Sequence, residues 1–166
     1  MHIVKFDEEQ VEEAFNVNDI IELNIKNFEK CNNIWNMEQN KELKDRFYNE
    51  LLNKTRKTFV YVKDEEYIGE ISIVFNKEDE DYSIPGVRLY VSRIIVKKDC
   101  RGKGYGKKLM NYIMEYAKSE GYKELSLGVN LDNYIALKLY VELGFNKIQY
   151  IGEDSDGKYV KLIKKI

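Results

Sequence analysis

From Tyr105 to Ala117, apolar residues return every three or four positions: Tyr105, Leu109, Tyr112, Ile113, Tyr116 and Ala117. That spacing lays one apolar stripe along an α-helix, and Gly121 supplies the residue that can close it. A second helical stripe runs from Asn133 to Leu143 and stops at Gly144. Earlier in the chain, Lys41 to Lys54 carries Leu43, Phe47, Leu51 and Leu52 on one face. Glu8 to Phe28 reads as helix through Val11, Phe15, Ile20 and Leu23, broken near Asn16 to Asn18.

The strand-like runs are His2–Phe6, Thr58–Lys63, Tyr67–Asn76, Val87–Val96, Lys123–Val129, Phe145–Ile151 and Lys158–Ile163. The last two meet across Asp154-Ser155-Asp156-Gly157, a good hairpin turn. The order predicts a single α/β domain over residues 1–166, with a mixed β-sheet of about six to seven strands and about four flanking helices. The sheet should be antiparallel at the front, hold one strand–helix–strand crossover, and end in a hairpin.

Composition narrows the function. Basic and acidic side chains number 27 and 29, for a net charge of −2. A general nucleic-acid binder would carry a basic excess, so no nucleic-acid partner is expected. The only histidine is His2, which argues against a serine or cysteine nucleophile system and, with two cysteines, against a zinc cluster; no metal is expected. Cys31 and Cys100 suit a reducing compartment. No apolar run nears the roughly 18 to 20 residues that span a bilayer, and the start lacks a leader pattern. A cytoplasmic location with no membrane partner is the expectation.

The chemistry concentrates in Arg101-Gly102-Lys103-Gly104-Tyr105-Gly106-Lys107-Lys108, between a strand and a helix. Glycines let the backbone approach a ligand, and a helix N-terminus offers N–H groups and positive potential to an anion. A phosphate ligand is implied. A Walker A loop is excluded, because no Ser or Thr follows the lysine. The dinucleotide fingerprint fails too, in its glycine spacing and its missing acid.

Arg101-x-x-Gly104-x-Gly106, followed one strand later by Asn133-x-x-Ala136-x-x-Leu139-Tyr140-x-x-x-Gly144-Phe145, resembles the GNAT superfamily of N-acyltransferases. The resemblance is specific from about Tyr67 to Ile148. It implies a GNAT-like sheet and acetyl-CoA as co-substrate. Arg101, Gly102, Lys103, Gly104, Tyr105, Gly106 and Lys107 would hold the pyrophosphate. Ile94, Ile95 and Val96 would run beside the pantetheine arm around a β-bulge. Asn133 would either touch the cofactor or cap its helix.

Tyr140 would return a proton to the departing thiolate after direct attack by a primary amine through a tetrahedral intermediate. The family's usual strand glutamate is absent from Arg88 to Arg93, and Glu70 is the substitute base, with Tyr90, Ser92 or water as equal alternatives. The acceptor, a small-molecule or peptide amine, would lie near the first helices, with Phe28, Trp35, Phe47 and Tyr48 as lining or core. The run Glu78-Asp79-Glu80-Asp81 reads as a solvated loop before it reads as a cation guide. A homodimer is compatible with the family. The rival function is a non-catalytic acyl-CoA-binding sensor.

Overall fold

The computed structural model describes residues 19–166. Seven strands form one sheet in the order β1-β2-β3-β4-β5-β7-β6. They are β1 (Ile20–Glu22), β2 (Arg56–Lys63), β3 (Glu66–Val74), β4 (Arg88–Val96), β5 (Glu124–Asn130), β6 (Lys147–Asp154) and β7 (Gly157–Lys165). Helices α1 (Lys41–Leu52), α2 (Tyr105–Ser119) and α3 (Tyr134–Glu142) accompany a nine-residue 3-10 helix, Ile25–Asn33. All neighbouring strands pair antiparallel except β4 and β5, which α2 joins as a parallel crossover. Among the described residues no helix is long and apolar enough to cross a membrane.

Strand alternation sorts the apolar residues into two layers. Phe59, Tyr61, Ile71, Ile73, Leu89 and Val91 pack with Leu109, Met110, Ile113 and Ala117 of α2, the stripe visible in the sequence. Val60 and Tyr67 join Phe28, Cys31, Trp35 and Phe47 beneath the 3-10 helix and α1 on the opposite face. Each fully buried Leu, Ile or Met of the α2 stripe contributes about 1.5 to 3 kcal/mol. Gly69 lies close beneath α2: a Cβ there would lie 3.2 Å from Leu109 Cδ1.

Two sequence expectations change. The helix expected over Glu8–Phe28 gives way, in its described part, to β1 and the start of the 3-10 helix. Asn24 explains the break: it is extended (φ −80°, ψ 132°), and its Oδ1 accepts the Lys26 N–H at 3.0 Å. A capping asparagine ends the strand and starts the next turn, while Ile20 and Ile21 favour an edge strand. The bulge expected within Ile94–Val96 lies earlier, at Ser92: Arg93 faces Ser72 and Val91 faces Ile73, leaving Ser92 over. The expected His2–Phe6 strand and the first part of the Glu8–Phe28 helix lie outside the described residues.

Candidate active site

β4 has nine residues, yet only Arg88, Leu89 and Tyr90 pair with β5, opposite Glu124, Leu125 and Ser126. Beyond Tyr90 the strands part, while β4 stays paired to β3 up to Val96 and β5 to β7 up to Asn130. The bulge at Ser92 adds the local twist that turns β4 away. A wedge is left in mid-sheet, with one margin of β4 unpaired. Such a margin offers backbone N–H and C=O groups to an extended, amide-bearing ligand. Ile94 and Val96 turn toward the α2 core, and Ile95 toward the opposite layer.

The glycine turn stands at the open end of that wedge. Gly102 and Gly104 have φ of 77° and 86°, a left-handed backbone that side chains resist. A Cβ at either would meet nothing within 4 Å, so conformation and not crowding requires glycine. Gly104 is also the N-cap of α2, and no side chain caps that end. The first-turn N–H groups of a helix have no acceptor inside it, which suits them to a phosphate. Arg101 does structural work as well: its Nε donates to the Val96 carbonyl at 2.9 Å, tying the turn to the strand. Lys103 and Lys107 are exposed around the turn. Tyr105 differs from expectation in its side chain, which is buried against Tyr61 at 5.2 Å between ring centroids; only its backbone can meet a ligand.

α3 leaves the end of β5 and packs on the same core as α2 through Ala136, Leu137, Leu139 and Tyr140. A cavity of about 500 Å3 opens where the strands part, lined by Tyr90, by Gly128 to Asn130, and by Asn133, Ala136 and Tyr140. Its far wall is Asp79, Tyr82, Asp154, Tyr159 and Lys161. Asn133 caps α3 through Oδ1, which accepts the Ala136 N–H at 3.3 Å, and lines the cavity as well. The Tyr140 ring meets Phe145 edge-on at 6.2 Å. Burial raises its phenol pKa. Burial also raises Tyr90, against the opposing charge of Arg56, and Tyr82. These phenols therefore keep their protons at neutral pH: the cavity wall offers donors.

Glu70 does not line this cavity. It is 4% exposed, beneath the 3-10 helix, with Arg93 Nε 3.5 Å away and the Cys31 thiol as a further partner. Burial raises its pKa, against the pull of Arg93. The acidic run is only partly a solvated loop: Glu78 and Glu80 are exposed, while Asp79 and Asp81 are engaged. Lys161 Nζ contacts Asp79 Oδ2 at 2.6 Å and Asp81 Oδ2 at 3.2 Å, between the Tyr82 and Tyr150 rings. Gly128, opposite Lys161 on β5, leaves the space that the Tyr82 phenol fills; a Cβ there would collide with its hydroxyl. Phe28, Trp35 and Phe47 are core, and Tyr48 is exposed beside Phe28. Sequence reasoning missed Tyr82, Tyr159 and Lys161. The acidic run was their one visible signal, as a partner for a lysine far along the chain.

The sequence model of the Acetyltransferase (GNAT) family matches residues 17–145. The chain belongs to that family. An uncharacterized N-acetyltransferase of Methanocaldococcus jannaschii, MJ1207, is 32% identical over 76 residues, 46% of this chain and 31% of that protein. The chain spans less than half the length of the curated relatives it matches first. A solved aminoglycoside 6'-acetyltransferase type Ii superposes with a TM-score of 0.71 at 19% identity, over 88% of this chain and 96% of that one. The PaiA N-acetyltransferase of Thermoplasma acidophilum, solved with coenzyme A, gives 0.66 at 21% identity, over 89% and 99%. These likenesses establish the shared fold: this GNAT chain has the same seven-stranded mixed sheet.

Proposed function

We propose that this GNAT protein is an acetyl-CoA-dependent N-acetyltransferase acting on a primary amine. The observation that carries the reading is the wedge between β4 and β5, with the glycine turn at one end and Tyr140 in the cavity at its root. Relatives named as N-acetyltransferases and similar structures solved with acetyl-CoA or coenzyme A support it. The pyrophosphate is held by the turn from Arg101 to Lys107, including Gly102, Lys103, Gly104, Tyr105 and Gly106 through their backbone. The pantetheine arm lies along Ile94, Ile95 and Val96, and Asn133 fixes the α3 side. Acetyl-CoA supplies an activated acyl carbonyl.

The acceptor amine enters from the face of Tyr82 and Tyr90 as the free base. Backbone N–H groups on the unpaired margin of β4 stabilise charge on the carbonyl oxygen as the amine attacks. As the C–S bond breaks, Tyr140 donates its proton to the sulfur, a role suited to a phenol held protonated by burial. The ammonium proton leaves through the cavity to water. Glu70, enclosed with Arg93, shapes the acceptor side and does not take that proton. The test is thiol release from acetyl-CoA with and without amines. Amine-dependent release supports transfer; binding of acetyl-CoA with no release in any amine would leave the sensor reading in its place.

A further inference from the structure

The sheet face under α1 is polar where a core should be apolar. Arg56, Thr58, Glu70 and Ser72 are all buried there, at 5%, 3%, 4% and 2% exposure. Thr58 and Ser72 satisfy each other through a 2.7 Å hydroxyl contact. The others do not. Arg56 Nε and Nη1, Arg93 Nε, Ser92 Oγ, Trp35 Nε1 and Glu50 Oε1 are buried with no hydrogen-bond partner among the described residues. All but Glu50 Oε1 can donate. They are also neighbours: the Arg56 guanidinium lies 4.0 Å and that of Arg93 5.5 Å from the Phe47 ring centroid, and Arg93 lies 4.6 Å from that of Trp35.

The local carboxylates pair with these arginines only at long range. Glu50 Oε1 stands 3.5 Å from Arg56 Nη2, and Glu70 Oε1 stands 3.5 Å from Arg93 Nε, beyond the usual 2.7 to 3.2 Å of a hydrogen bond. Buried polar groups are ordinarily paired, and five unpaired donors against the single acceptor Glu50 Oε1 imply a missing acceptor. Two guanidinium groups around the same Phe47 ring suit a carboxylate, which brings two acceptor oxygens and one negative charge. The cluster adjoins the cavity. Ser92 is the bulge residue of β4, two positions beyond cavity-lining Tyr90, whose phenol feels the charge of Arg56. Arg93 keeps 22% of its side chain exposed, which leaves a ligand a way in.

We propose that Arg56 and Arg93, with the Trp35 indole N–H and the Ser92 hydroxyl, form a carboxylate subsite, so that the acceptor is a small molecule bearing both an amine and a carboxylate. This rests on the transferase reading above. The carboxylate anchors the acceptor on the α1 face of the sheet while its amine reaches into the wedge. Polyamines, which have no anion to offer, leave these donors unpaired and are poor acceptors.

The probe is a panel of the L-α-amino acids, their C-terminal amides, and spermidine, assayed by thiol release from acetyl-CoA. At least one free acid should exceed its own amide about tenfold or more in kcat/KM, with the difference mainly in KM. Arg93→Gln should bring that acid-to-amide ratio close to one. Trp35→Phe, which keeps a ring against Arg93 and removes only the N–H, should lower the ratio part-way. Acids and amides used equally, or spermidine preferred, would overturn the subsite and leave the transferase standing. No transfer to any amine would overturn the transferase reading. The unfolding midpoint in the same panel then decides the subsite: a rise with acids but not amides upholds it, and no rise ends it.

Discussion

Tyr90 of β4 faces Ser126 of β5 across the last paired rung of the parallel ladder, and past that pair the two strands part. The cleft is thus built by ending a ladder early, and it exposes backbone that a sheet normally consumes. Amide exchange reads this directly. Acetyl-CoA should slow exchange in segments covering Val91–Val96 and Gly102–Lys107, and leave the β6–β7 hairpin unchanged. Protection in the hairpin alone would place the ligand elsewhere.

Gly104 and Gly121 bound α2 with nearly the same left-handed φ, 86° and 87°. Alanine at either position carries a backbone penalty of about 1 to 2 kcal/mol. Only Gly104 belongs to the proposed phosphate turn. Gly104→Ala should weaken coenzyme A binding about tenfold, whereas Gly121→Ala should lower stability and leave the dissociation constant within about twofold. Calorimetric titration of both variants separates the two effects.

Tyr140→Phe keeps the ring that packs on Phe145 and removes the proton. The expected result is a fall in kcat of about a hundredfold with little change in acetyl-CoA binding. Because burial raises the Tyr140 pKa, the proton donor stays loaded through neutral and mildly alkaline pH. The wild-type kcat/KM for the acceptor should therefore climb with pH toward the pKa of the amine itself. A plateau reached well below the pKa of the amine, as a carboxyl raised by burial would give, would restore Glu70 as the base.

The Lys161–Asp79 pair gives a stability signature. Its hydrogen bond to Lys161, with burial opposing, lowers the Asp79 pKa, so the contribution of Asp79 is present above about pH 4 and is lost as pH falls through the depressed value. Burial acts to lower the Lys161 pKa, but hydrogen bonds to Asp79 and Asp81 outweigh it and the net shift is upward. The contribution of Lys161 is therefore complete below its ordinary value of about 10.4 and lost at higher pH. Lys161→Met should cost about 1 to 2 kcal/mol near pH 7, allowing for solvent around the carboxylates. The loss should shrink toward pH 3 in denaturant titrations; a constant loss would mean that packing, not charge, carries the effect.

The elements with strong periodicity were legible in the sequence. The α2 stripe, the Gly121 and Gly144 stops and the β6–β7 hairpin stand where the pattern put them. Ile20 was misread because one helical turn and a short edge strand look alike over three residues, and the Asn24 cap decided between them. At the site, Gly102 and Gly104 were legible because a positive φ restricts residue choice so strongly. The wall of Tyr82, Tyr159 and Lys161 was not, because contacts such as Lys161 to Asp79 depend on strand register. Glu70 stood out in an apolar run, but sequence does not show which face it joins; Arg93 and Cys31 enclose it.

The most direct test is thermal unfolding with acetyl-CoA, coenzyme A or NAD. Ligand at a hundredfold over its dissociation constant adds about 2.7 kcal/mol, which for a chain of this size raises the midpoint by roughly 5 to 10 °C. The account predicts that rise with both coenzyme A species and none with NAD. No rise with millimolar acetyl-CoA would contradict it, reducing the glycine turn and the wedge to structural features.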